Sequence, residues 1–244
     1  MISKKIHYCW FGGNPLPETV QRCIDSWKKF CPDYEIIEWN ESNYDVHKIP
    51  FISEAYNAKK YAFVSDYARL DIVYNEGGIY LDTDVELIRP IDVLLLHSGF
   101  MGTELLGRVN TGVGFGAVKH HQFIKENMEI YEKLEFDTKY MVTCVEITTS
   151  LLEKYGLASK NIVQNIAGLT IYPTEYFCPY NMETGKTTIT DNTYSIHHYD
   201  ATWYGDGIKA TVKKQLLPLK IKTRQVIDRL FGEGAYQNLK KHLK

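Results

Sequence analysis

The chain has 244 residues, of which 44% are hydrophobic and 24% charged, and its formal net charge is −2. This composition is typical of a folded protein with a sizeable core and excludes intrinsic disorder. The cysteines are scattered and form no C-x-x-C pair, which argues against a disulfide framework and a zinc site and favours a reducing cytoplasm. They are Cys9, Cys23, Cys31, Cys144 and Cys178.

The N-terminal segment is predicted to open with a β-α-β unit. KKIHYCWF predicts a buried first strand, and the following GGNPLP predicts a turn. From Val20 to Phe30 apolar residues recur at three- and four-residue intervals, which predicts a helix that ends near Pro32. YEIIEW then predicts a second strand. Such a unit builds a parallel sheet.

The rest of the chain continues the mixture of helices and strands. Residues 53–76 read as one helix that stops at Gly77 and Gly78, and the strand IYL follows at once. Further along, FMGTEL and TGVGFGA predict strands, 121–134 and 144–155 predict helices, and NIVQNI, LTIY and NTYSIHHY predict short strands. Because there is no internal repeat or low-complexity linker, the pattern indicates one mixed α/β domain.

Two aspartates, Asp82 and Asp84, directly follow the predicted strand IYL. If the strand continues through them, both side chains project to the same side and repel each other unless a cation is close. Mg²⁺ and Mn²⁺ are commonly held by one or two carboxylates together with substrate phosphates. Ligands of α/β sheets collect at the carboxyl ends of the strands, so the pair predicts a metal site rather than a solvated turn.

Asp66 and Arg69 lie three residues apart on the preceding helix and share a face. As a surface ion pair they would stabilise the helix by roughly a few tenths of a kcal/mol. As part of a site, the carboxylate would hold sugar hydroxyls and the guanidinium would hold a hydroxyl or a phosphate. The spacing alone leaves both interpretations open.

Three blocks of the sequence resemble one family. AFVSDYARLDIVYNEGGIYLDTDVE resembles the signature of the sugar-binding, D-x-D-containing glycosyltransferases of family 32, and more distantly the glucosylating domains of the large clostridial toxins. KKIHYCWFGGNPLP resembles the first strand and loop of the same family. IHHYDATW resembles its C-terminal HH…SW element, with Thr202 where serine is commoner. The blocks occur in the family's order and cover most of the first 205 residues.

The resemblance implies a GT-A fold: a Rossmann-like mixed sheet with flanking helices, merged with a small acceptor-binding part. It implies a transfer that retains anomeric configuration and uses Mn²⁺ or Mg²⁺, with Asp82, Asp84 and His198 as the metal ligands. Catalytic roles fall on Asp66, Arg69, Asp84 and Trp203. The implied donor-binding residues are Cys9, Trp10, Phe11, Ser65, Asp66, Arg69, Asp82, Asp84, His198 and Trp203.

Within this set, the resemblance implies that Trp10 stacks on the nucleobase. From the residues alone, a position in the core explains this tryptophan equally well. Trp203 would donate to the departing phosphate oxygen. Asn110 and Thr111 belong to a glycine-rich stretch, which predicts a place on the acceptor side, but a tight turn explains the glycines equally well.

Residues 1–208 are expected to form the GT-A domain and residues 209–244 a basic helical extension. The extension carries ten Lys or Arg against two acidic residues, which is a net charge of +8. Because the whole chain has a net charge of −2, residues 1–208 have a net charge of −10. Its lysines could contact anionic lipid headgroups, or the helix could pack on the domain. The apolar run at the N-terminus is too short for a signal peptide and no segment approaches a membrane span, so a cytoplasmic protein is expected.

The expected partners are a nucleotide-sugar donor, UDP-hexose or alternatively GDP-hexose, and a saccharide or lipid-linked saccharide acceptor in capsular or surface polysaccharide synthesis. No nucleic-acid partner is expected. A phosphatase of the haloacid-dehalogenase type also begins its site with a strand and D-x-D, but normally near the N-terminus. A non-catalytic binding module for sugar nucleotides or glycans is the other alternative. A glycosidase is disfavoured because its two carboxyl groups must flank the bond.

Overall fold

The computed structural model describes residues 1–138, 140–181 and 186–199, together with Thr223. Residues 1–180 and 188–199 form one compact unit. A second unit takes residues 181–187 and 200–244, of which only Asn181, Lys186, Thr187 and Thr223 are described. The predicted basic extension therefore lies almost wholly outside the described residues. In the part that is described, no helix is long and apolar enough to cross a membrane.

The described residues contain both strands and helices. The strands are β1 (Lys5–Cys9), β2 (Glu35–Trp39), β3 (Gly78–Tyr80), β4 (Val85–Leu87), β5 (Gly99–Leu105), β6 (Arg108–Ala117), β7 (Gln164–Ile166), β8 (Leu169–Tyr172), β9 (Tyr180–Asn181), β10 (Lys186–Thr187) and β11 (Ser195–His197). The helices are α1 (Glu18–Phe30), α2 (Pro50–Asn57), α3 (Tyr61–Glu76), α4 (Gln122–Tyr131), α5 (Cys144–Lys154) and α6 (Thr174–Phe177), and a 3-10 helix spans Asp92–Leu96.

Seven strands form one mixed sheet in the order β2-β1-β3-β6-β5-β8-β7. β1 runs parallel to β2 and to β3, which confirms the predicted β-α-β opening. β6 then runs antiparallel to β3, with Tyr80 opposite Phe115. Outside this sheet, β4 and β11 form a separate antiparallel pair. The mixed α/β class expected from the sequence is confirmed.

The hydrophobic core lies on both faces of the sheet. Neighbouring residues of β3, Ile79 and Tyr80, belong to different core clusters, as do Phe100 and Met101 of β5. This is the expected result of side chains that alternate across a strand. Because both faces are covered, the strands read as nearly continuous apolar runs in the sequence.

The helix predicted over residues 53–76 is in fact two helices, α2 and α3. Lys59, between them, adopts a φ of 56°. The amides of Ala58 and Lys60 bond back to the carbonyls of Glu54 and Ala55 at 2.9 and 2.8 Å, which closes the end of α2. The sequence concealed this break because both helices bury their apolar residues in the same cluster.

The strand that leads to the two aspartates ends before them, so the condition for both side chains to project to the same side is not met. β3 stops at Tyr80, and the Val85 amide donates to the Asp82 carbonyl at 3.0 Å across a turn. The alternation rule therefore does not apply to Asp82 and Asp84. β4 begins directly after the turn and pairs with β11, which sets Val85 opposite His197.

Candidate functional site

One guanidinium joins the two acidic elements of the site. The Arg69 side chain is only 4% exposed, and its Nη2 lies 3.1 Å from Oδ1 of Asp66 and 3.1 Å from Oδ1 of Asp82. Gly77 and Gly78 adopt φ values of 65° and 97°, which lets the chain leave α3 and enter β3 in this arrangement. The pair on α3 is therefore a buried one and not a surface ion pair.

The remaining contacts of Arg69 hold its side chain in place. Its Nε donates to the Ser65 carbonyl at 3.0 Å, and its Nη1 lies 3.5 Å from Thr111 Oγ1. Its Cζ lies 4.9 Å from the ring centroid of Tyr80, whose hydroxyl donates to Asp82 Oδ1 at 3.2 Å. Burial opposes the charge of Arg69, but Asp82 and the other anionic groups around it hold its pKa above the ordinary value.

Asp84 faces a histidine on β11. Its Oδ1 lies 3.3 Å from Nε2 of His197, which is buried. Burial lowers the pKa of His197, but the Asp84 carboxylate outweighs it, so that pKa is held well above its ordinary value. The Asp82–Asp84 pair thus has two cationic partners, Arg69 and His197, which stand on different sides of the turn.

His198, which the resemblance assigned to the metal, is placed differently. Its backbone amide donates to the Asp84 carbonyl at 3.0 Å, while its ring lies 2.8 Å from Oε2 of Glu86 and is exposed. Successive side chains at the end of a strand point to opposite sides, so only one of the two histidines can turn towards Asp84. Trp203 and Thr202 lie outside the described residues.

The side chains of Asp82 and Asp84 fit a hard divalent cation, because both offer oxygen ligands and are 28% and 17% exposed. Among the residues that the structure describes, no group of three or more His, Cys, Asp and Glu side chains could hold a metal ion. A cation at this turn would complete its coordination with substrate phosphates and water, which is usual for Mg²⁺.

Asn110 and Thr111, expected on the acceptor side, line the wall beside Asp82. The Asp82 amide donates to the Gly112 carbonyl at 2.9 Å, and the Gly112 amide donates to Asn110 Oδ1 at 2.6 Å. Thr111 is fully buried against Arg69. A Cβ on Gly112 would overlap Asp82 Oδ2, so only glycine fits at this place.

Cys144, which no motif of the sequence singles out, completes the deep end of the site. It is the first residue of α5, where Thr143 forms a capping box with Glu146. Its Sγ lies 3.8 Å from Asn110 Oδ1 and 4.0 Å from Arg69 Nη1. Burial raises the pKa of the neighbouring Asp66 carboxyl, and the charge of Arg69 acts against that rise.

The residues expected around the nucleobase follow the end of β1. Cys9 is buried, and burial raises the pKa of its thiol to about 12. Trp10 is half-buried, and its Nε1 donates to the Asn14 carbonyl at 2.7 Å. Phe11 points into the core, with its ring centroid 6.0 Å from that of Tyr44. Only Trp10 keeps a partly exposed ring for a planar ligand.

Comparison with known proteins agrees with this geometry. Residues 17–101, which include α1, α3 and both aspartates, match the family described as "Glycosyltransferase sugar-binding region containing DXD motif". Inositol phosphoceramide mannosyltransferase 1 of Schizosaccharomyces pombe is 30% identical over 154 residues, 57% of this chain and 46% of that protein. Human alpha-1,4-N-acetylglucosaminyltransferase is 42% identical over 65 residues, 27% of this chain and 18% of that protein. The chain spans less than half the length of these curated relatives.

Among solved structures, the PaToxG glycosyltransferase resembles the fold. The similarity covers 63% of this chain and 69% of that chain, with a TM-score of 0.50 and 18% sequence identity. At this level of identity the similarity concerns the fold alone. The fold is of the GT-A type that the sequence resemblance implied.

Proposed function

We propose that this chain, which carries the DXD-containing sugar-binding region of glycosyltransferases over residues 17–101, is a metal-dependent hexosyltransferase. It moves a hexose from a nucleotide sugar, UDP-hexose or alternatively GDP-hexose, to a saccharide or lipid-linked saccharide. The observation that carries the proposal is the arrangement of Asp66, Arg69 and Asp82, in which one buried cation joins a helix to the D-x-D turn.

In this proposal Asp82 and Asp84 would hold Mn²⁺ or Mg²⁺, which would supply positive charge for the departing diphosphate. Arg69 fixes Asp82 and keeps the turn from opening, because its Nε and Nη2 are already occupied by Ser65, Asp66 and Asp82. The Asp66 side chain, which is 11% exposed, accepts a hydrogen bond from a hydroxyl group of the transferred hexose.

The nucleotide side is proposed to begin at Trp10, whose half-buried ring offers a face to the base. His197 stands beside Asp84, and its positive charge adds to the favourable potential for the diphosphate. The proposal also includes retention of anomeric configuration and a catalytic role for Trp203. It divides the chain at residues 208/209 and gives the extension a contact with the membrane. It places the enzyme in the cytoplasm, in the synthesis of a surface polysaccharide.

The two alternatives from the sequence differ in measurable ways. A phosphatase of the haloacid-dehalogenase type needs an aspartate free to attack phosphorus, but Asp82 Oδ1 already contacts both Arg69 and the Tyr80 hydroxyl. A binding module would bind a sugar nucleotide without turning it over. Release of UDP or GDP from the sugar nucleotide separates the enzyme from the module.

The test is calorimetric binding of UDP and of GDP, with and without Mn²⁺. Asp84→Asn keeps the shape of the side chain and removes its charge, so we expect Mn²⁺-dependent binding to be lost. Asp25→Asn, at an exposed position on α1, is the matched control and should bind like the wild type. Binding of neither nucleotide to the wild type would exclude the glycosyltransferase function.

A further inference from the structure

A third carboxylate, that of Glu104, lies at the edge of the site. It stands near the end of β5, is partly exposed, and accepts a hydrogen bond from Asn110 Nδ2 at 2.8 Å through its Oε2. Asn110 Oδ1 in turn accepts from the Gly112 amide, and the Gly112 carbonyl accepts from the Asp82 amide. A chain of three hydrogen bonds therefore connects Glu104 with the D-x-D turn.

The strand that carries Glu104 also packs against the opposite wall of the site. α6 contacts both β5, which carries Glu104, and β11, which carries His197. Cys178, directly after α6, is buried, and the ring of Tyr199 lies 4.0 Å from that of His197. The strand of Glu104 thus adjoins both the wall at Asn110 and the wall formed by α6 and β11.

The surroundings of Glu104 favour a neutral polyhydroxy ligand. Within the described ranges, the hydrogen bond from Asn110 is its one direct polar contact, and no Lys, Arg or His forms an ion pair with it. No metal-binding group of three side chains includes it there. A carboxylate without a cation repels a diphosphate but accepts strong hydrogen bonds from hydroxyl groups.

The transferred hexose already has a carboxylate on the other side of the site. Asp66 and its neighbours Arg69 and Cys144 belong to α3 and α5. Glu104 is separated from them by Asn110, and its strand, β5, packs against α6. This is the side from which a second saccharide can approach the donor without displacing the metal ligands.

We propose that Glu104 binds a hydroxyl group of the saccharide acceptor and holds the acceptor against the donor sugar. The proposal rests on the glycosyltransferase function proposed above. Asn110 is the positioning residue, because it fixes the Glu104 carboxylate and the Gly112 backbone with the same side chain. The carboxylate of Glu104 makes the acceptor side of the cleft acidic.

The test compares wild type and Glu104→Gln with UDP-hexoses or GDP-hexoses as donors and a panel of p-nitrophenyl hexosides as acceptors. Glutamine keeps an oxygen for Asn110 Nδ2, so the variant removes the charge and preserves the fold. Transfer to the hexoside and hydrolysis of the donor by water are measured in the same reaction. We expect the ratio of transfer to hydrolysis to fall about tenfold and the KM of the acceptor to rise, since hydrogen bonds to charged groups are the stronger ones.

Glu153→Gln, exposed on α5, is the matched control and should leave both rates unchanged. A Glu104→Gln enzyme with an unchanged ratio of transfer to hydrolysis would overturn the assignment of Glu104 to the acceptor, whether or not both rates fall. A wild type that neither binds a nucleotide nor hydrolyses a sugar nucleotide would instead overturn the proposed function itself.

Discussion

Arg69 and Asp82 are 13 residues apart in the chain, yet Nη2 of one lies 3.1 Å from Oδ1 of the other. The same nitrogen lies 3.1 Å from Asp66 Oδ1. Through this contact, the last helix before the D-x-D turn fixes the turn itself. Loss of the guanidinium would leave two carboxylates close together with no cation between them.

We therefore expect Arg69→Met to lower the free energy of unfolding by about 3–5 kcal/mol, the usual effect of removing one partner from a buried ion pair. Urea denaturation at neutral pH measures the change. Arg22→Met, at an exposed position on α1, should change stability little. Combining Arg69→Met with Asp66→Asn should recover part of the loss, and an equal or larger loss in the double variant would contradict this account.

Gly112→Ala is expected to abolish Mn²⁺-dependent nucleotide binding. An added Cβ would overlap Asp82 Oδ2 and come within 2.8 Å of Arg69 Nη1, so the Asp82 side chain must leave its place. The control is Gly156→Ala, where φ is 96° but nothing lies within 4 Å of the added carbon. Calorimetry should show normal binding for this control even if it is less stable, and equal binding by both variants would refute the prediction.

His7 should make the protein less stable in acid. Its Nδ1 accepts from the indole Nε1–H of Trp39 at 3.1 Å, and its Nε2–H donates to the Gly77 carbonyl at 2.8 Å, so the ring is neutral. Burial lowers the pKa of His7 to about 4, whereas the unfolded chain has the ordinary value of 6.5. Between these values the unfolded state binds more protons, so the stability present above pH 6.5 is lost as pH falls towards 4.

The expected loss from this one group is about 3 kcal/mol over that interval. It is measured as the free energy of unfolding at pH 7 and at pH 4.5 for the wild type and for His7→Gln. The variant should lose less stability on acidification, because glutamine can make both hydrogen bonds without titrating. An identical dependence on pH in both proteins would show that His7 does not titrate as described.

Thr143→Ala tests the helix start that carries Cys144. The Thr143 hydroxyl accepts from the Glu146 amide, and the Glu146 side chain accepts from the Thr143 amide. Loss of such a cap costs about 1 kcal/mol, measurable by urea denaturation. Ser150→Ala, exposed in the middle of the same helix, should be neutral or slightly stabilising. An equal loss in both variants would show that the effect does not come from the cap.

The elements of the fold were largely predictable from local patterns. The strands around Ile6, Ile36 and Ile79 and the stop at Gly77 follow from runs of apolar residues and from glycine, which are properties of neighbouring residues. The break at Lys59 was missed because its left-handed φ is not signalled by a glycine or a proline. Whether the strand continues through the aspartates stayed open, because an apolar strand gives no sign of the residue at which its pairing ends.

The mixed α/β class, the D-x-D pair and the neighbouring Asp66 and Arg69 were readable from the residues, because they depend on spacing along a short segment. The turn of His197 and not His198 towards Asp84, and the places of Cys144 and Glu104 beside the site, follow only from the folded chain. These residues come from β5, α5 and β11, up to 113 positions from Asp84. Their proximity depends on strand pairing and on buried contacts between distant segments, which a local pattern in one sequence does not contain.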